Sequence, residues 1–124
     1  MNDPSHTILL VDDDEEFRAL MHVCLAKKGY SVLLATNGKQ GVEFADSHKP
    51  DLILMDLEMP VLDGYGAISQ IVETVGDSIP IIAVSSHCWN YDWKAKAKQL
   101  GCVECVDKPK FLDFMHKELP EYLC

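Results

Sequence analysis

Five short apolar runs, each followed by residues at helical spacing, constrain this chain more than any other feature. The runs are Thr7 to Val11, Ser31 to Ala35, Asp51 to Met55, Ile81 to Val84 after Pro80, and Val103 to Val106. They are apolar throughout rather than alternating, as strands covered on both faces are. Between and after them lie stripes at three- and four-residue spacing. The first is Phe17, Leu20, Met21, Cys24 and Leu25, and Gly41, Val42 and Ala45 make a weaker second. Ala67, Ile68, Ile71, Val72 and Val75 follow, then Trp93, Ala97 and Leu100 in a helix from about Trp89 to Leu100. Phe111, Phe114, Met115, Leu119 and Tyr122 form the last helical stripe. Gly29, Gly76 with Asp77, and Gly101 stand where helices end. Strands alternating with helices are βαβ units. Right-handed crossovers then predict a doubly wound, five-stranded parallel sheet in the order 2-1-3-4-5.

The 124 residues are expected to form a single domain, 1–124. A content of 48% apolar and 25% charged residues is that of a globular chain, not a disordered one. No apolar run approaches the ~18 residues of a membrane span. The net charge of −9 has the wrong sign for nucleic acid or an anionic membrane surface, so neither is an expected partner. The five cysteines are odd in number, and no secretory signal precedes them. A disulfide framework is therefore not expected, and a reducing, cytoplasmic location is.

In such sheets, ligands sit beyond the carboxyl ends of the strands where the order reverses. Asp12 and Asp13 end the first run, Asp56 the third, Ser85 and Ser86 the fourth, and Asp107-Lys108-Pro109 the fifth. Three carboxylates, a hydroxyl and an ammonium should converge there. Clustered carboxylates repel unless a cation joins them, and an all-oxygen set with few protein ligands favours Mg²⁺. A carboxylate is also a competent nucleophile towards phosphorus. The lysine and the serine would then meet the charge of a transferring phosphoryl group.

The sequence resembles the receiver domain of two-component response regulators, in its stand-alone form similar to the chemotaxis response regulator. The residues that carry the resemblance are Ile8 to Asp13, Pro50 to Pro60 with Asp63-Gly64, Pro80 to Ser85, and Lys108-Pro109. They cover essentially the whole chain in order. The resemblance implies a flavodoxin-like (βα)5 fold with the same strand order. It implies that Asp56 is the phosphoacceptor, charged by a sensor histidine kinase or a histidine phosphotransfer protein. Mg²⁺ would be held by Asp13, Asp56 and the main-chain carbonyl of Glu58, with Asp12 acting through a metal-bound water. Ser85 would contact the phosphoryl group, although its neighbour Ser86 leaves the register open, and Lys108 would pair with Asp56. A cis Lys108–Pro109 bond is implied as well. Output would come from a downstream protein docking on the face of helix 4, strand 5 and helix 5, or from onward phosphotransfer.

Other residues read more plainly. Asp14, Glu15 and Glu16 complement a helix dipole. Cys102 and Cys105 have thiol-redox spacing but enter a strand, so both are expected to be buried small hydrophobes. The five histidines share no spacing, and only His87 lies near the expected site mouth. Glu58 is acidic where the resembled family is often neutral or basic. Cys105 stands where that family often has an aromatic ring that swings on activation. Trp89, Tyr91 and Trp93 load the fourth helix with aromatics, and Trp89 and Tyr91 are expected on the surface as docking anchors. A small Asp-nucleophile phosphatase and a flavodoxin-like electron carrier are the rival readings. The first lacks a cap segment here, and the second lacks a phosphate-binding loop after the first strand.

Overall fold

The computed structural model describes residues 6–59, 62–76 and 78–123. Pro60 of the third-run stretch, Asp77 at the end of the third stripe and Cys124 lie outside the described residues. Five strands alternate with five helices: β1 Thr7–Val11, α1 Glu15–Lys27, β2 Ser31–Ala35, α2 Gly38–His48, β3 Leu52–Asp56, α3 Gly64–Val75, β4 Ile81–Ser85, α4 Tyr91–Leu100, β5 Glu104–Asp107 and α5 Phe111–Lys117. All strand pairs are parallel, in the order β2-β1-β3-β4-β5. This is the expected doubly wound fold.

Alternation along each strand divides the core into two layers. Ile8, Leu10, Leu52, Leu54, Ile82, Val84 and Val106 pack with Met21 and Leu25 of α1 and Phe111, Phe114 and Met115 of α5. Leu9, Val11, Ile53, Met55, Ile81, Ala83 and Cys105 pack on the other face with residues of α2, α3 and α4. The central strands β3 and β4 are buried at every position, which is why their sequences do not alternate.

Four of the five α-helices, all but α5, start where side chains cap them. Asp14, Asn37, Asp63 and Asn90 accept hydrogen bonds from the first-turn amides of α1, α2, α3 and α4. All four caps stand in loops that follow strands, on the edge where the carboxylates gather. At the opposite edge the chain turns back through left-handed backbone at Gly29, Lys49, Gly76 and Gly101.

Four details depart from the sequence reading. Leu20 is 52% exposed, because the sheet takes the narrower stripe centred on Met21 and Leu25. The last stripe breaks at Lys117 and resumes as a 3₁₀ turn, Leu119–Tyr122. Pro120 has no N–H with which to continue the helix. The Lys108–Pro109 bond is not cis, since no cis peptide bond occurs among the described residues. Pro109 sits instead in the first positions of a 3₁₀ turn, Lys108–Lys110, where its fixed φ fits. Lastly, Cys105 is not a free buried thiol: it forms a disulfide with Cys88. Cys88 lies in the loop after β4, and the β4–β5 register places Cys105 beside Ala83. The loop folds back along its own strand and brings the two Cα atoms to 5.7 Å. Cys102 is the free, buried cysteine of the pair, and burial pushes its thiol up to about 12.

Gly64 ties the fold to the strand ends. It is buried at the start of α3, and its N–H donates to the Leu57 carbonyl at 3.2 Å. A Cβ there would run into the backbone carbonyl of Asp56. Gly64→Ala is therefore expected to destabilise the fold by about 1–3 kcal/mol through overpacking, read as a shift in the urea midpoint at unchanged slope.

Candidate functional site

The acidic residues gather because strands β1 and β3 are neighbours. Val11 pairs with Met55, so Asp12 and Asp56 follow at adjacent strand ends. Carboxylate oxygens of Asp12, Asp13 and Asp56 lie within 4.8 Å of one another. Asp12 and Asp56 are almost wholly buried, whereas Asp13 faces solvent. Lys108, delivered by the end of β5, places its Nζ 3.1 Å from Asp12 Oδ2 and 3.7 Å from Asp56 Oδ2.

Backbone donors complete the acceptors. The Asp14 N–H donates to Asp12 Oδ1 at 2.8 Å, and the Glu58 N–H donates to Asp56 Oδ1 at 3.2 Å. Burial, with the Asp12 carboxylate next to it, pushes Asp56 up to about 7. Burial also raises Asp12, against the opposing pull of the Asp14 amide and Lys108. Burial alone would lower Lys108, but Asp56 and Asp12 outweigh it and hold the ammonium above its ordinary range. One ammonium among three carboxylates leaves the cluster short of positive charge. The donors are all hard oxygens, so the set fits a hard divalent cation such as Mg²⁺, with Asp13 open to solvent on the entry side.

Of the two serines after the fourth run, Ser85 is the last residue of β4 and fully buried, and Ser86 is exposed. Asp56 pairs with Val84, so Ser85 stands one step beyond the Asp56 level. Its Oγ accepts the His87 N–H at 3.1 Å. The structure thus brings Asp12, Asp13, Asp56 and Lys108 together and sets Ser85 at the adjoining strand end. Glu58 leaves the cluster on its exposed side. Its Oε1 lies 2.6 Å from His87 Nδ1, a close contact that falls outside hydrogen-bond geometry. The His87 ring stacks on Trp93 with centroids 4.5 Å apart.

Two supports escaped the sequence reading. Arg18 Nη1 donates to the Asp12 carbonyl at 2.8 Å, and Lys108 Nζ sits 4.7 Å from the Phe17 ring centroid. Phe17 reads from sequence only as a position on the first helical stripe, and the sequence reading does not single out Arg18. Their spacing from Asp12 is that of the first turn of α1, which was the available signal.

Residues 8–119 match the family model described as response regulator receiver domain. The autoinducer 1 sensor kinase/phosphatase LuxN of Vibrio harveyi is 42% identical over 85 residues, which is 68% of this chain. The chain spans only about a tenth (10%) of the length of LuxN. Among solved structures, the receiver domain of the Pseudomonas aeruginosa sensor histidine kinase PA1611 is 32% identical, with a TM-score of 0.87. The match covers 96% of this chain and 98% of that one, which holds a magnesium ion in its active-site cleft. The receiver domain of the Saccharomyces cerevisiae response regulator Ssk1, seen in complex with the histidine phosphotransfer protein Ypd1, is 29% identical. Its TM-score is 0.88, and the match covers 100% of this chain and 92% of that one.

The raised Asp56 sets a pH dependence. An unfolded aspartate titrates near 4, and Asp56 in the fold near 7. Between those values the native protein keeps a proton that the unfolded chain has released. The contribution is fully present below about pH 4 and is lost as the pH rises through about 7. The metal-free protein should therefore lose stability over that window. Asp56→Asn, which cannot titrate, should show a shallower fall, measured as denaturant midpoints at pH 5 and pH 8 in chelator.

Proposed function

Because this chain belongs to the response regulator receiver domain family, we propose that it is a phosphorylation-operated switch of a two-component system. The observation that carries this reading is the Asp56 carboxylate at the end of β3, with Asp12, Asp13 and Lys108 around it. An Asp56 oxygen attacks the phosphorus of a phosphohistidine. The new O–P bond forms as the N–P bond breaks, and the leaving imidazole takes up a proton. The donor is a sensor histidine kinase or a histidine phosphotransfer protein. Similarity to LuxN and to the receiver that Ypd1 binds supports that choice.

Lys108 lies within reach of both Asp12 and Asp56, so it can follow the negative charge from carboxylate to phosphoryl oxygen. Ser85, at the adjoining strand end, supplies a hydroxyl donor for another of those oxygens. Asp12, Asp13, Asp56 and the main-chain carbonyl of Glu58 would hold Mg²⁺. When bound, the ion neutralises charge on the transferring group. Asp13 is the open ligand, and Asp12 is the buried one anchored by Arg18, the Asp14 amide and Lys108.

The chain acts on itself, catalysing its own phosphorylation and dephosphorylation, rather than turning over a separate substrate. We read residues 1–124 as a single receiver domain working in the cytoplasm. No helix among the described residues is long and apolar enough to cross a membrane. Its output passes to a protein on the α4–β5–α5 face. There Trp89 and Tyr91 are 71% and 81% exposed beside a groove of about 610 Å³.

Acetyl phosphate with Mg²⁺ should add one base-labile phosphoryl group to the protein and none to Asp56→Asn, read by intact mass. Equal labelling of the variant would falsify the assignment of Asp56. Mg²⁺ at a hundredfold excess over its dissociation constant should stabilise the fold by roughly 2.7 kcal/mol. Asp13→Ala should lose most of that gain in the same melting experiment.

A further inference from the structure

The loop between β4 and α4, residues 86–90, is held in three ways. Within it, the Ser85 hydroxyl accepts the His87 amide and the His87 carbonyl accepts the Asn90 amide. Across to neighbouring elements, the His87 ring stacks on Trp93 and its Nδ1 approaches Glu58. These contacts can be exchanged in a rearrangement. The third tie cannot: Cys88, three residues beyond Ser85, is covalently bonded to Cys105 in the middle of β5.

We propose that the Cys88–Cys105 pair is a redox latch on the phosphoryl switch. As a disulfide it fastens the loop after Ser85 to β5 and holds back its rearrangement. As two thiols it frees the loop. The inference rests on the phosphoryl-switch reading above and adds a second input to it.

Geometry gives the latch its force. The Cα atoms of Cys88 and Cys105 are 5.7 Å apart, and disulfides rarely span more than about 6.8 Å. The bond therefore leaves the loop only about 1 Å of outward play at Cys88. A Ser85 hydroxyl drawn towards a phosphoryl group on Asp56 pulls on this same short segment. Cys105 belongs to a buried strand whose register with β4 is fixed from Glu104 to Asp107, so it cannot travel with the loop.

The two cysteines also border an open groove. Both cysteines are nearly buried, at 3% and 4% exposure, yet both line the groove of about 610 Å³ beside α4. Glu104, Asp107, Asp113 and Glu118 outnumber Lys94 and Lys110 on its walls, which favours a cationic or neutral thiol reagent over an anionic one. In the cytoplasm proposed above, a disulfide is more often a transient, sensing bond than a lasting structural one.

The oxidation balances with a small disulfide as the oxidant. The Cys88 thiolate attacks one sulfur of the reagent, forming a mixed disulfide and expelling one thiolate. The Cys105 thiol then gives up its proton, and its sulfur displaces the second thiolate. Two protein thiols are oxidised to one disulfide, and one small disulfide is reduced to two thiols. A dithiol reverses the sequence.

The test uses the full chain oxidised with cystamine, the same chain reduced with dithiothreitol, and the Cys88→Ala variant. Alkylation followed by mass analysis counts the thiols in each. Hydrogen exchange is then read over residues 85–91 with and without beryllofluoride and Mg²⁺. The reduced protein should change its exchange in this segment at least about tenfold more than the oxidised protein does. Cys88→Ala should respond like the reduced form under both treatments. The wild-type comparison needs no substitution, so it stands even where the variant folds poorly. Failure of cystamine to close the bond overturns the latch. So does an equal response of the two forms when both accept phosphoryl from acetyl phosphate. If neither form accepts it, the phosphoryl-switch reading falls, and the latch with it.

Discussion

The burial of two carboxylates at the end of an apolar sheet governs the rest of this molecule. Asp12 and Asp56 leave water only because β1 and β3 end side by side, and their repulsion is met by the Lys108 ammonium just beyond β5. Removing Lys108 would leave two buried acids without their nearest cation, and removing either acid would take a counter-charge from a partly buried ammonium. The arrangement is incomplete by charge, and that incompleteness is what makes it a site. A fully neutralised cluster would be mere structure, with no call for a cation or for an arriving phosphoryl group.

The sequence made this arrangement legible because strand ends are local features. Apolar runs stop at charged residues, and the topology of a doubly wound sheet then brings the stops together. Asp12, Asp13, Asp56 and Lys108 could each be found by counting to the end of a run. The supports could not be found in that way. Arg18 and Phe17 reach the cluster through the orientation of α1, which depends on packing against the sheet rather than on spacing. Leu20 misled for the same reason: a stripe in sequence is wider than the strip that a flat neighbour can cover.

The disulfide was illegible for a different reason. Cys88 and Cys105 are 17 residues apart, and nothing local links them. The spacing that drew attention, Cys102 to Cys105, pairs residues that do not bond. Only the register of β4 against β5 and the path of the following loop bring the real partners together. An odd cysteine count argues about how many bonds are possible, not about where one can form. The trans Lys108–Pro109 bond was missed on similar grounds, since a family tendency says nothing about the 3₁₀ turn that this chain adopts.

The two edges of the sheet are built from different materials. At the carboxyl edge the loops carry aspartate and asparagine caps, buried acids and the ties of residues 86–90, so first-turn amides of four helices are bonded there. At the amino edge the chain reverses at Gly29, Lys49, Gly76 and Gly101, all exposed, and none of them touches the acidic cluster. Chemistry is concentrated on one rim, and chain reversal is confined to the other. That division makes the amino edge the place to splice in a reporter peptide or relocate the chain ends, because lengthening those turns would alter the route of the backbone without disturbing the acidic cluster.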